Sequence, residues 1–242
     1  MRSILIALLC ITLYHFAPTP IPQPALAYGE SVTGSLKTDE DIAYTFTGSR
    51  DDVIVITVER ATDAEKLYPA VSIADVKQRL ATTANDRTLI SGTLALRLTN
   101  DGAYSITVSA RDKGKSENRT GAFLLTLTKA ATLTPGAPVM HDAKYAPKAD
   151  VRPVWFTFNG GASYTATLER DAKTYGARAA VYSIEQGHLT EQYTLDGGAT
   201  LRAMSVRFDA APKTIYLVSI TPSERMDAAP GTNYSYIFAL AS

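Results

Sequence analysis

Ile56-Thr-Val-Glu-Arg60 returns as Ala166-Thr-Leu-Glu-Arg170, 110 positions further along the chain. Working outward, Tyr44-Thr-Phe-Thr-Gly48 returns as Phe156-Thr-Phe-Asn-Gly160 and Leu96-Arg-Leu98 as Val206-Arg-Phe208. Tyr104-Ser-Ile-Thr-Val108 returns as Tyr216-Leu-Val-Ser-Ile220, now 112 positions on. A slowly drifting offset is what two copies of one domain with small loop insertions produce. The repeated residues are apolar strand residues, not chemical groups, so the duplicated object is a core.

The period of those residues is two. Leu94, Leu96 and Leu98 alternate with Ala95, Arg97 and Thr99, and Tyr104, Ile106 and Val108 continue the pattern, as do Phe123, Leu125 and Leu127. One buried and one wet face per strand gives this alternation. Val53–Val58 is apolar on both faces and β-branched, which predicts a central strand. Asn100-Asp101-Gly102, Asn159-Gly160-Gly161 and Asp196-Gly197-Gly198 supply turn residues that tolerate positive φ. No window carries a helical stripe; Asp63–Leu67 could form one turn. Seven or eight short strands per copy predict two tandem antiparallel β-sandwiches of the jelly-roll type, an all-β chain.

Residues 1–27 read differently. Met1-Arg2 is a positive start, Ile4–Leu13 a short apolar run, and Ala25-Leu26-Ala27 a small-x-small cleavage signal, the pattern of a secretory signal peptide cut before Tyr28. The run is shorter than the roughly 20 residues of a membrane span. Pro18, Pro20, Pro22 and Pro24 break any helix that would extend it into a retained anchor. The domains that follow are expected at 28–130 and 140–242, joined by a short semi-rigid linker at 131–139 that holds Pro135 and Pro138. The expected localisation is secreted or periplasmic, with no transmembrane segment after cleavage.

Charge and cysteine narrow the chemistry. The chain carries 24 basic and 24 acidic residues. Nucleic-acid binding requires a basic surface that neutralises phosphates, and a balanced chain offers none. Cys10 lies in the leader and is the one cysteine, so the mature chain has no thiolate nucleophile and no cysteine metal ligand.

At this point the motifs resemble a family. Asp39-Glu-Asp41-Ile-Ala-Tyr44-Thr-Phe46, Asp101-Gly-Ala-Tyr104 followed by Ile106 and Val108, and Gly121-Ala-Phe123-Leu-Leu-Thr-Leu127 resemble the opening, middle and closing strands of bacterial pre-peptidase C-terminal domains. The likeness covers residues 28–129. Residues 136–242 match in weaker form, with Pro212-Lys213 in place of Asp-Gly and Asp150 alone in place of the acidic opening. The resemblance implies a jelly-roll-like sandwich of secreted proteins, usually an accessory binding or maturation module of a protease or other hydrolase. Related collagen-binding domains hold calcium through acidic residues near their N-terminal segment. No enzyme accompanies the domains in this chain.

Three chemistries remain to be placed. Calcium wants several oxygen ligands, and Asp39, Asp41 and Asp52, with Glu40 and Asp51, could converge if Ile42–Gly48 forms a hairpin with the next strand; otherwise they are charges that protect sheet edges. Ring-stacking on a sugar or an extended polypeptide needs exposed aromatics, and Trp155, Tyr182 and Tyr193 are the candidates; Trp155 adjoins Phe156 on a strand, so one of the pair should face away from the core. Hydrolysis would need a positioned serine and base. His141 and His188 lie at unrelated loops, no G-x-S-x-G elbow is present, and Glu59 and Glu169 sit at strand ends where a solvated or ion-paired role is expected. The expected function is therefore non-catalytic: binding or assembly outside the cell or in the periplasm, with a protein or polysaccharide partner and self-association possible. The alternative is an accessory partner of a secreted hydrolase.

Overall fold

The computed structural model describes residues 24–37, 40–62, 67–82, 91–110, 120–144, 153–170, 177–196, 202–222 and 233–242. The expectations placed on residues 1–23, Asp39, Asp63, Asp150, Gly197 and Gly198 lie outside the described residues.

The described residues are all-β, with seventeen strands. In the first half, β1 (Ser31–Leu36), β8 (Gly121–Lys129), β3 (Val53–Arg60) and β6 (Ser91–Arg97) form one sheet in that order. Its partner sheet runs β2 (Ile42–Gly48), β7 (Gly102–Ala110), β4 (Pro69–Ala74) and β5 (Arg79–Thr82). In the second half, β10 (Val139–Lys144), β17 (Asn233–Ala241), β12 (Ser163–Arg170) and β15 (Ala203–Asp209) form the first sheet. The second is β14 (His188–Asp196), β13 (Ala177–Glu185), β16 (Ile215–Pro222) and β11 (Val154–Asn159), edged by β9 (Ala131–Thr132). Stepping each strand of the first half forward by nine converts its two sheet orders into those of the second. All pairings are antiparallel except β9 with β11 and an isolated bridge before β1.

Period-two alternation places one side of each strand inside its sandwich. Ile54, Ile56, Val58, Leu94, Tyr104, Ile106, Phe123 and Leu125 fill the first core. Phe158, Ala166, Phe208, Tyr216, Val218, Tyr236 and Phe238 fill the second. One aromatic pair recurs at the repeat offset. Phe46 stacks on Tyr104 at 5.3 Å and 19°, and Phe158 stacks on Tyr216 at 5.2 Å and 14°. Each tyrosine also ties down the turn before its strand. The Tyr104 hydroxyl donates to the Asn100 carbonyl at 2.8 Å, and the Tyr216 hydroxyl accepts from the Ala211 N–H at 3.0 Å.

One expectation is corrected here. β2 pairs with β7 and β3 lies in the opposite sheet, so Ile42–Gly48 forms no hairpin with the next strand. The expected semi-rigid linker, residues 131–139, is bonded to the second sandwich. β9 adds to the edge of β11, Leu133 is buried in the second core, and the Leu133 and Gly136 amides donate to the carbonyls of Thr157 and Leu240 at 2.8 and 2.7 Å. An apolar side chain and two amide donors in so short a segment are better paired on the adjacent sandwich than left in water.

Candidate functional site

Asp41 and Asp52 do not converge. Asp41 is exposed at the start of β2 and Asp52 follows its end, so the strand itself, about 20 Å long at ~3.3 Å per residue, separates them. Asp52 is 8% exposed. Its carboxylate meets the Lys129 ammonium at 2.6 Å and accepts from the Tyr28 hydroxyl at 2.9 Å and the Ser49 amide at 3.2 Å. Burial alone would raise its pKa, but the hydrogen bonds from Lys129, Tyr28 and Ser49 outweigh burial and hold it below the usual value. Burial first, and then the Asp52 carboxylate, push the Tyr28 hydroxyl in the other direction, well above the ordinary tyrosine pKa. Asp51 is engaged as well, with Arg97 at 2.5 Å. Among the described residues no three His, Cys, Asp or Glu side chains are grouped to hold a metal.

The aromatic trio is placed differently from the expectation of an exposed platform. Trp155 does face away from its own core while Phe156 faces into it, yet Trp155 is 8% exposed. It is covered by the first sandwich. Val53, Val55, Ala95 and Ala130 pack with Trp155 and Leu217, and Tyr182, Ile184, Leu189 and Ile215 close around them. Tyr182 is half-buried there, its ring 6.0 Å from Trp155. Tyr193 is half-buried against the second core, 4.9 Å from Phe208. None of the three is a free plate for a sugar ring.

The hydrolytic candidates are scattered. His188 is exposed at the head of β14, and the His141 side chain lies outside the described ones. Glu59 is on β3 and Glu169 on β12, in different sandwiches. Arg60 beside Glu59 donates to the Leu67 carbonyl at 2.6 Å and lies 4.7 Å over the Tyr68 ring.

The fold does assemble a junction. The outer face of β3 and β6 packs on the outer face of β11, β13 and β16. The β13–β14 hairpin turns on Gln186 (φ 50°) and Gly187 (φ 87°), two positive φ values that match the right-handed twist of the strands. Its tip reaches the edge strand β6, where the Ala95 N–H donates to the Gly187 carbonyl at 3.0 Å. A Cβ on Gly187 would lie 2.5 Å from the Ala81 Cβ. Beside the junction a cleft of about 90 Å³ opens between Asp51 and Arg97 on one side and Thr132, Thr157 and Asn159 on the other. That is well below the ~300 Å³ at which small-molecule pockets begin. The signal for this junction is in the sequence: the two-sided apolar pattern of Val53–Val58 marks a strand with both faces covered.

Among the described residues, one sheet surface left uncovered by the junction is the outer face of β2, β7 and β4. Its outward side chains are Ala43, Thr45 and Thr47, Ala103, Ser105, Thr107 and Ser109, and Ala70, Ser72 and Ala74. Register aligns them in rows across the strands: Ala43, Thr107 and Ser72 in one, Thr45, Ser105 and Ala74 in the next. Rows of small neutral groups, ~4.8 Å apart between strands and ~6.7 Å along them, make a flat, uncharged face. Charge begins at the β5 edge with Arg79.

No protein-family model and no curated protein matches the chain. Solved structures do. The pre-peptidase C-terminal domain of a collagenase from Bacillus anthracis is 18% identical with a TM-score of 0.34, over 46% of this chain and all of that one. The tandem CBM51 modules of the family 98 glycoside hydrolase from Streptococcus pneumoniae are 9% identical with a TM-score of 0.26, over 88% and 84%. The M60 catalytic domain of Clostridium perfringens ZmpB with its two CBM51 domains is 9% identical with a TM-score of 0.27, over 89% and 38%.

Proposed function

We propose that this chain is an exported, non-catalytic binding protein made of two pre-peptidase C-terminal-like sandwiches that arose by duplication and are locked into one unit. Duplication is supported by the repeated sequence, the repeated strand order and the repeated Phe–Tyr stack. Export is supported by the leader pattern in residues 1–27; among the described residues no helix is long and apolar enough to cross a membrane. Binding is preferred to catalysis because the acidic, histidine and aromatic candidates are spent on structural contacts or held apart.

One observation carries the choice of surface: the flat Ala/Ser/Thr face of β2, β7 and β4. Sheet faces and loops are where sandwich modules meet partners. A face without charge or large rings suits a neutral, extended partner, either a polysaccharide chain or a polypeptide, that covers several strands at once. The test is a panel of soluble glycans and extended peptides read by calorimetry. Thr107→Arg, central on the face, should abolish the binding found while leaving the melting temperature within a few degrees. Binding that survives Thr107→Arg, or turnover of any glycan or peptide in the panel, would overturn the assignment.

A further inference from the structure

Before β1 the chain crosses from one sheet of the first sandwich to the other. Pro24 and Ala25 lie along the free edge of β2. The Thr45 N–H donates to the Pro24 carbonyl at 3.0 Å, and the Leu26 N–H donates to the Thr45 carbonyl at 2.8 Å, so that Ala25 pairs with Thr45 in a parallel bridge. Leu26 is 5% exposed and belongs to the first core. A closed turn follows. The Ala27 N–H donates to the Glu30 carboxylate at 2.8 Å, the Glu30 N–H to the Ala27 carbonyl at 3.1 Å, and Gly29 takes φ 84°.

The cleavage position expected from the sequence, between Ala27 and Tyr28, falls inside this turn. A chain cut there keeps the β1 side of the crossing and loses the β2 side. It retains a strand edge with the Thr45 amide and carbonyl turned outward, and next to that edge a core gap the size of a leucine side chain. An open edge beside an apolar socket is the geometry of strand addition, in which backbone hydrogen bonds give affinity and the socket gives specificity.

We propose that in the mature protein the β2 edge at Thr45 and the Leu26 socket form an acceptor site for an extended peptide of another protein. The peptide would run parallel to β2. It would supply a carbonyl at one position and, two residues later, an N–H on a residue with a leucine-sized side chain. The first position admits proline, because only its carbonyl is used, as Pro24 shows. The proposal deepens the binding role above and rests on its export and cleavage.

The probe is a synthetic peptide of residues 20–27, added to protein expressed from Tyr28. Binding by calorimetry, with a melting temperature raised by several degrees at saturation, is the expected result. The Leu26→Ala peptide should bind at least about tenfold more weakly, and the Leu26→Asp peptide should not bind. If the chain from Tyr28 does not fold, a full chain carrying a protease site between Ala27 and Tyr28 is folded first and then cut, and exchange with labelled peptide is followed. A folded protein that takes up no peptide in either format overturns the proposal. So does an exported protein whose measured mass places its first residue upstream of Pro24. Uptake that depends on the Leu26 side chain of the peptide reads the edge site, whereas glycan or peptide binding that does not depend on it reads the sheet face, so a failed sheet face and a failed edge site are told apart.

Discussion

At the residue scale, Asp52 shows how a candidate ligand becomes a structural anchor. Its two oxygens join the end of β8 through Lys129, the N-terminal segment through Tyr28 and the β2–β3 turn through Ser49. Asp52→Ala should cost about 1–3 kcal/mol by stranding the half-buried Tyr28 hydroxyl and opening the turn, measured by urea unfolding. Its lowered pKa means that the folded state holds fewer protons there than the unfolded state. The stability it contributes is present above the ordinary aspartate value and is lost as pH falls through the folded one. Tyr28 is linked in the opposite sense: its contribution is complete below the ordinary tyrosine pKa and is lost as pH rises past it. Asp52→Asn should flatten the acid limb of the stability profile and leave the neutral region shallow. Because Lys129 already neutralises Asp52, EDTA should leave the melting temperature of the native protein unchanged; a fall would restore a metal to this end of the sandwich. Gly160 is a second sensitive position, since a Cβ there would lie 2.2 Å from the Ala211 backbone carbonyl. Gly160→Ala should destabilise by about 1–3 kcal/mol, because the backbone cannot yield as a side chain can.

At the element scale, the strands were legible because alternation is a local property. Leu94 to Leu98 and Phe123 to Leu127 carry their own faces, and Val53–Val58, apolar on both faces, marked a central strand. What covers β3 was not legible, because a partner face in the other half of the chain leaves no local mark. For the same reason the alternation of Trp155 and Phe156 told that one ring of the pair leaves the core but not that another module receives it. Convergence of the acidic residues was conditional on a hairpin that does not form; the seven-residue strand β2 lies between Asp41 and Asp52. The β13–β14 hairpin is the element most exposed to test. Gly187→Ala combines a positive φ with a 2.5 Å approach to Ala81, so it should loosen the junction more than either core. Differential hydrogen exchange should localise the change to β6 and the hairpin, with the amides of β8 and β17 unaffected.

At the scale of the whole molecule, the junction is heterologous: the β3 face of the first sandwich meets the β11–β16 face of the second. Such contacts can propagate from chain to chain. The repeat identifies the faces that would continue it. Ser163, Thr165 and Ser205 stand where Val53, Val55 and Ala95 stand in the first module, and Ala43, Ala103 and Ser105 stand where Trp155, Ile215 and Leu217 stand in the second. Small and hydroxylated side chains replace the apolar ones at both ends, so the stack stops at two. Sedimentation should therefore find a monomer at concentrations where a Thr165→Val, Ser205→Ala, Ala43→Trp, Ser105→Leu variant associates head to tail. The proposed binding face of β2, β7 and β4 lies on the first sandwich, away from the junction, which leaves it turned outward. Trp155, the one tryptophan in the chain, reports on that arrangement directly. Acrylamide quenching of its fluorescence in the native protein should be weak, and its emission that of an apolar site. Val55→Arg should raise both quenching and emission wavelength without unfolding the second sandwich. Native quenching as strong as that of the chain in denaturant would contradict the junction, and with it the account of two sandwiches acting as one.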